Sequence, residues 1–381
     1  MDRFDLKTKI FFGDNALDRL RDNPYDRILV IADPFVVESG MINSLTRRLD
    51  EAHKEYHVYS DVIPDPPLDK IAYGVQFALG YKPDAIVAVG GGAAIDSAKS
   101  IKEFSEKIGK NGEIKLIAIP TTSGSGSEVT SYAVVTDTFK NNLKCPIVTD
   151  NIIPNEAILD AELTMSVPPS ITADTGMDVI THAIEAYVSE KANAFTDALA
   201  EKSLELCAKY LVRAYKNGKD VEARQQMHVA SCLAGIAFSS CSLGINHSMA
   251  HQLGGHFHIA HGRANAILLP HIIAFNSRID AVNSDAELPA CAAKYCAAAA
   301  KFGVTGNGIG DTVRNLVDHI KNMMFTMNIP MTVSLTGKCT KEEYMQAIAD
   351  MVQGAMTDGC TEFNPRKTEP AEFAALFIGL W

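Results

Sequence analysis

The alternation of apolar and polar positions changes character near the middle of the chain. Through the first ~165 residues, short apolar runs alternate with stretches of helical periodicity. The runs are RILVIAD (27–33), KEYHVYSDV (54–62), AIVAVG (85–90), IKLIAIP (114–120) and TSYAVVTD (130–137). Runs of this length bounded by turn formers predict strands, and strands lacking a polar face predict a parallel sheet covered by helices on both sides. After ILDAELTMSVPPS the texture becomes helical, with apolar residues at three- and four-residue intervals. ADTGMDVITHAIEAYVSE, FTDALAEKSLELCAKYLVRAYKNG, EARQQMHVASCLAGIAFSS, AELPACAAKYCAAAAKFG, GDTVRNLVDHIKNMMFTM and TKEEYMQAIADMVQGAM all follow that pattern. Pro168 and Pro169 mark the joint, because paired prolines continue neither a helix nor a central strand. The pattern predicts an α/β domain over 1–168 and an all-helical domain over 169–381, without internal repeat or low-complexity tract.

Composition narrows the classes. At 381 residues, with 47% hydrophobic and 21% charged residues, the chain fits two packed domains and gives no case for disorder. A net charge of −11 with no basic block disfavours nucleic acid and anionic membrane surfaces as partners. No signal-like N-terminus and no apolar run near the ~20 residues of a membrane span is present. The eight scattered cysteines contain no CxxC, the pattern of reduced thiols in a cytoplasmic protein.

Two loops and one cluster carry candidate chemistry. AVGGGAAIDSAKS places Gly90, Gly91 and Gly92 between a strand and a helix, where backbone amides without obstructing side chains bind phosphate. A glycine triple is also an ordinary tight turn. PTTSGSGSEVT (120–130) follows the next strand, and ligands of open α/β sheets bind at such carboxyl ends. Asp33 ends the first strand, placed either to bind a ribose diol and repel a 2′-phosphate, or to serve as a turn or N-cap residue before Pro34.

In the helical half, Asp178 and His182 lie one turn apart, a spacing that suits two ligands of one divalent ion and equally a surface pair. NHSMAHQLGGHFHIAHGRANA holds five histidines, His247, His251, His256, His258 and His261. Helix spacing alone selects His247 and His251 as further ligands. A carboxylate and three imidazoles would suit Fe²⁺ or Zn²⁺. A diphosphate site on one domain and a metal on the other, facing across a cleft, is the arrangement hydride transfer needs.

Four long motifs then occur in a familiar order: GGGAAIDSAKS, IPTTSGSGSEVT, DTGMDVITHAIEAY and HSMAHQLGGHFHIAHGRANAILLPH. Through them the chain resembles the iron-containing, metal-dependent alcohol dehydrogenases over nearly its whole length. The resemblance implies a Rossmann-like parallel-sheet domain followed by an all-α domain, the fold shared with dehydroquinate synthase. It implies Asp178, His182, His247 and His261 as metal ligands, replacing His251, which falls on the histidine near the nicotinamide and is the expected proton relay. It further implies Asp33 at the adenosine ribose, Gly91 and Gly92 at the diphosphate, and Thr121, Thr122 and Lys144 along the nucleotide, with Asp96 and Lys99 supporting the loop.

Expected cofactors are NAD and Fe²⁺, with Zn²⁺ as the other metal the donors accept. The expected reaction interconverts a short primary alcohol and its aldehyde, propanol/propionaldehyde or ethanol/acetaldehyde, working as an aldehyde reductase. Polyol dehydrogenation (1,3-propanediol, lactaldehyde/1,2-propanediol or glycerol) is the alternative, and a dehydroquinate synthase-like lyase the distant one, since few basic residues stand beside the histidines apart from Arg263. The stretch GGHFHIAHGRANA resembles the dehydrogenases of propanediol and ethanolamine utilisation and raises association with a bacterial microcompartment, although no added amphipathic N-terminal extension is visible. A homodimer or larger homo-oligomer is expected.

Overall fold

The structure is a computed structural model that describes residues 4–109, 112–139, 143–282 and 284–381. The chain divides into two compact units, Met1–Val167 and Pro168–Trp381.

The first unit contains strands β1 (Lys9–Phe12), β2 (Arg27–Ala32), β3 (Glu55–Tyr59), β4 (Ala85–Gly90), β5 (Lys115–Pro120), β6 (Tyr132–Asp137), β7 (Leu143–Val148) and β8 (Glu156–Leu159). Its helices are α1 (Pro34–Glu38), α2 (Ile42–Glu51), α3 (Leu68–Tyr81) and α4 (Gly92–Ile108). Six strands form one sheet in the order β1-β8-β5-β4-β2-β3, and every pairing in it is parallel. Side chains alternate across a strand, so each central strand feeds two cores. Leu29, Ile31, Ile86, Ala88, Leu116 and Ala118 pack on one face with Ile71 and Val75 of α3 and Ile95 and Ile101 of α4. Ile28, Val30, Val87, Val89, Ile117 and Ile119 pack on the other with Leu45 and Leu49 of α2. The continuous apolar runs in the sequence are this double burial.

The expected TSYAVVTD strand departs from the prediction. β6 leaves the parallel sheet and pairs antiparallel with β7. Its burial alternates between exposed Tyr132 and Val134 and buried Ala133 and Val135, the two-faced pattern of a hairpin. β1, β7 and β8 were not anticipated, because β1 and β8 are only four residues long and β7 contains Pro146. The ends of β2, β3 and β5 are trimmed relative to expectation, and Asp33 becomes the N-cap residue of α1.

The second unit is helical: α5 (Pro169–Val188), α6 (Ala194–Lys216), α7 (Val221–Cys241), α8 (Ile245–Phe257), α9 (His261–Ser277), α10 (Ala290–Lys301), α11 (Ile309–Thr326), α12 (Lys341–Thr357) and α13 (Pro370–Gly379). Pro169 starts α5 at its first turn, where its missing N–H has no acceptor to lose. The proline pair therefore opens a helix as well as closing the preceding segment. α5 is buried on nearly all sides, among α6, α7 and α9, so its polar residues are interior groups. No single helix among the described residues is long and apolar enough to cross a membrane. No disulfide links the eight cysteines; four are buried and four partly exposed.

Candidate active site

At the β4–α4 turn of the first unit, Gly90 has φ +154° and Gly91 caps α4. A Cβ on Gly90 would stand 2.1 Å from Asp33 Oδ2, so the glycine clears the space that the Asp33 carboxylate occupies. That oxygen accepts the Gly91 N–H at 2.8 Å. Asp33 occupies the N-cap position of α1 without making a side-chain cap bond; the bond goes to the glycine turn instead. Burial raises its pKa and the Gly91 amide draws it back.

Thr121 and Thr122 follow β5. The Thr121 N–H donates to Gly90 O at 2.9 Å, and Thr122 Oγ1 lies 3.5 Å from where a Gly91 Cβ would sit. A Gly92 Cβ would meet Ser125 Oγ at 3.2 Å. The two polar loops thus close over the start of a 17-residue helix, whose first-turn amides have no acceptor within the helix. These residues fit a diphosphate.

Beneath the loops, the Nζ of fully buried Lys99 lies 2.7–3.0 Å from four acceptors that share its three N–H groups, Ser127 Oγ, Thr130 O, Thr130 Oγ1 and Tyr132 O. Asp96 Oδ1 accepts Ser127 Oγ at 2.7 Å, and Oδ2 accepts the Val134 N–H at 3.0 Å. Burial pushes Lys99 down to about 8 and the neighbouring Glu128 up to about 7. Lys144, on β7, pairs with Asp65 and donates to Thr136 Oγ1 at 3.1 Å.

In the second unit, α5 presents Asp174, Asp178, His182 and Glu185 at intervals of four, four and three, along one buried row. Burial of Asp178 and His182, each 4% exposed, excludes a surface pair. His247 lies in α8, and His261 is the first residue of α9. One ligand atom from each of Asp178, His182, His247 and His261 falls within 4.8 Å of all the others. Asp178 Oδ1 is 3.7 Å from His247 Nε2 and 3.6 Å from His261 Nε2. Ligands ~2.1 Å from one tetrahedral ion would stand about 3.4 Å apart.

Gly262 makes this approach feasible. A Cβ there would meet Asp174 O at 2.2 Å and Asp178 Cβ at 3.3 Å, so only glycine lets the start of α9 reach α5 beside the carboxylate. Arg263, the next residue, forks onto Asp174 at 3.2 and 3.0 Å.

The donor set fits a divalent cation. Burial first, then the neighbouring His182, His261 and His251, holds the His247 pKa well below the usual imidazole range. That neutral form has a lone pair to give. Its Nδ1 is bonded to the buried Glu185 carboxyl, which leaves Nε2 directed at the cluster. Burial raises the Glu185 pKa, countered by the amides of Asn246, His247 and Gly244, and it is the carboxylate form that accepts the His247 Nδ1–H and frees the Nε2 lone pair. Asn265 Nδ2 contacts Asp178 Oδ1, His247 Nε2 and His261 Nε2 at 2.7, 3.1 and 3.2 Å. An amide with two hydrogens cannot serve three acceptors well; a divalent ion can. The His261 side chain is 46% exposed, leaving the cluster open on one side, as a site that admits substrate requires.

His251 is set apart from those four. Its Nδ1 is 2.7 Å from Asp358 Oδ2, and its ring stacks on His261 with centroids 5.5 Å apart. The HxxxH pairing of His247 with His251 is therefore not the grouping that the fold brings together. His256 is the penultimate residue of α8, and His258 caps the helix after Phe257 with φ 53°; both are exposed. Residue spacing gave no sign of Asn265 or Asp358. Glu185 carried a signal, since it continues the row of Asp178 and His182 by a further turn.

Comparison with known proteins accounts for both halves. Residues 7–161 match the model described as iron-containing alcohol dehydrogenase, and residues 172–380 match that of the Fe-containing alcohol dehydrogenase family, C-terminal. The chain belongs to the iron-containing alcohol dehydrogenase family. It is 47% identical over 278 residues to the 1-propanol dehydrogenase PduQ of Citrobacter freundii, covering 73% of this chain and 74% of that one. It is 36% identical over 392 residues to the NADPH-dependent butanol dehydrogenase of Clostridium saccharobutylicum, covering 99% and 97%. A solved structure of 1,3-propanediol oxidoreductase superposes with a TM-score of 0.89 at 31% identity over 100% of both chains. This family member is a metal-dependent, NAD-linked alcohol oxidoreductase with a Rossmann-like sheet followed by helices.

Proposed function

We propose that the chain reduces a short aliphatic aldehyde, acetaldehyde or propionaldehyde, to its primary alcohol with NADH, and runs in reverse with NAD. The 47% identity to a 1-propanol dehydrogenase is the observation that carries the choice of substrate. Asp178, His182, His247 and His261 would hold the ion, with Glu185 fixing the His247 ring and Asn265 bonded to Asp178. The ion supplies Lewis acidity toward the substrate oxygen, a contribution of several kcal/mol. NADH supplies the hydride.

His251 is the proton carrier in this reading. Asp358 accepts from Nδ1, which leaves Nε2 to exchange a proton with the alcohol oxygen. Gly91, Gly92, Thr121 and Thr122 would bind the diphosphate, and Lys144 would lie along the nucleotide. The relative from Clostridium saccharobutylicum is named for NADPH, whereas here Asp33 would repel a 2′-phosphate, which supports NAD. Fe²⁺ follows from the family, although an aspartate with three histidines also accepts Zn²⁺, which the Irving–Williams order favours where both ions are present. A homodimer or larger assembly belongs to the same reading and is checked by light scattering.

The test is NADH oxidation with acetaldehyde and propionaldehyde, using protein reconstituted anaerobically with Fe²⁺ or with Zn²⁺. Turnover that chelator abolishes is expected. Absence of turnover with either ion, while NADH still binds, overturns the reading and moves the search to polyols. The 31% identity to 1,3-propanediol oxidoreductase makes 1,3-propanediol the first of those to assay.

A further inference from the structure

A second cluster of ligand-type atoms lies in the turn after α12. Asp358 and Cys360 flank Gly359 there, and both come up against His251 of α8. One ligand atom from each of His251, Asp358 and Cys360 falls within 4.8 Å of the other two. The Cys360 N–H donates to Asp358 Oδ1 at 2.9 Å, fixing the carboxylate, while Oδ2 meets His251 Nδ1 at 2.7 Å. The turn is anchored at both ends. Thr361 Oγ1 donates to Ala355 O at 2.7 Å, and Asn364 exchanges bonds with Asn276 at 2.9 and 3.1 Å. These donors are therefore held in place by the surrounding fold.

We propose that His251, Asp358 and Cys360 form a second cation site, specific for thiophilic divalent ions such as Zn²⁺, Co²⁺ or Cd²⁺, whose filling inhibits the enzyme. Nitrogen, oxygen and sulfur donors with a fourth position left to water make a zinc-type set, and the sulfur distinguishes it from the Asp178 cluster. Charge favours it beside another ion. The Asp358 carboxylate and a Cys360 thiolate together neutralise a divalent cation, so the filled site adds little repulsion across the stacked His251 and His261 rings. Binding exchanges the thiol proton for a metal–sulfur bond and releases one proton. Only three protein donors meet there, one of them sulfur and one nitrogen, so ions that need six or more oxygen ligands, such as Mg²⁺ and Ca²⁺, are excluded. The inhibitory consequence rests on the function proposed above, because coordination removes His251 from proton exchange; the site itself does not depend on it.

The experiment is a Co²⁺ titration of the full chain followed by near-ultraviolet absorbance. Co²⁺ in the Asp178 cluster has no sulfur ligand, so a thiolate-to-cobalt charge-transfer band reports the second site alone. The band should grow to one ion per chain in the wild type and in His261→Ala, vanish in Cys360→Ser, and need about tenfold more Co²⁺ or higher in Asp358→Asn. No band at saturating Co²⁺, or a band that persists in Cys360→Ser, overturns the site. In the aldehyde assay, Zn²⁺ beyond the first equivalent should inhibit the wild type, with Cys360→Ser requiring about tenfold more for equal inhibition; equal sensitivity overturns the inhibitory role. If no aldehyde turns over, the functional reading fails while the band still decides the site.

Discussion

At the head of α4 the groups that would hold a ligand are backbone amides, and the nearby side chains either clear space or tie loops together. Around Asp178 the arrangement is reversed: the groups that would hold an ion are side chains, and the backbone contributes by coming close at Gly262. The first kind of site is written in contiguous sequence, as a glycine run opening a helix. The second is distributed over α5, α8 and α9, and exists only once those helices pack. Disturbing the first should weaken a cofactor while leaving the metal in place. Disturbing the second should remove the metal and leave the nucleotide.

The largest expected effect is from His261→Ala. Loss of a ligand that is half exposed should empty the cluster and lower kcat about a thousandfold or more, while the thermal melt stays close to wild type. Metal content and circular dichroism check it, and full metal stoichiometry in the variant would sink the assignment. Next come Gly262→Ala and Gly90→Ala as a pair. Each places a Cβ within about 2.2 Å of an oxygen, and each should cost about 1–3 kcal/mol of stability by overpacking. Their ligand effects should separate, metal affinity falling only for Gly262→Ala and NADH affinity only for Gly90→Ala. If both variants lose both ligands, the two sites are not independent.

A smaller effect concerns pH. The folded pKa of Glu128 is raised from 4.5 to about 7, so the folded state keeps a proton that the unfolded chain has released. Its stabilising contribution is full below about pH 4.5 and is lost as pH rises through about 7. Denaturant melts should show wild type losing stability relative to Glu128→Gln across that window, at up to about 1.4 kcal/mol per pH unit. A constant difference would refute the burial argument. The smallest effect is that of Asp33→Gly, which should shift the NAD-to-NADP preference by about tenfold, equivalent to about 1.4 kcal/mol. An unchanged ratio would leave Asp33 only its bond to Gly91.

What was readable in the sequence follows the same division. The parallel sheet was legible in the unbroken apolar runs of β2, β4 and β5, whereas β6 was misplaced because a hairpin strand can begin and end on similar residues. Asp178 and His182 were legible as a pair because helix geometry joins neighbours four apart. Helix geometry also selected His251 over His261, and only family resemblance made the exchange. The reason is visible in the fold. His261 approaches from a separate helix, by way of the turn at His258 and the close contact at Gly262. Asp358 stands 107 residues from His251, beyond any periodic signal. Asn265 becomes meaningful only once three acceptors converge on it.

His261 is both the first residue of α9 and the one member of the four-residue cluster, proposed above to hold the ion, that is not buried. Helix ends open far more readily than helix centres, and they do so without global unfolding. A single fraying turn would therefore unfasten the ion from one side while Asp178, His182 and His247 stay where they are. The residence time of the metal would then be set by the breathing of that turn. Protein purified slowly, or in the presence of chelator, would arrive folded and partly demetallated, and its specific activity would record its handling history.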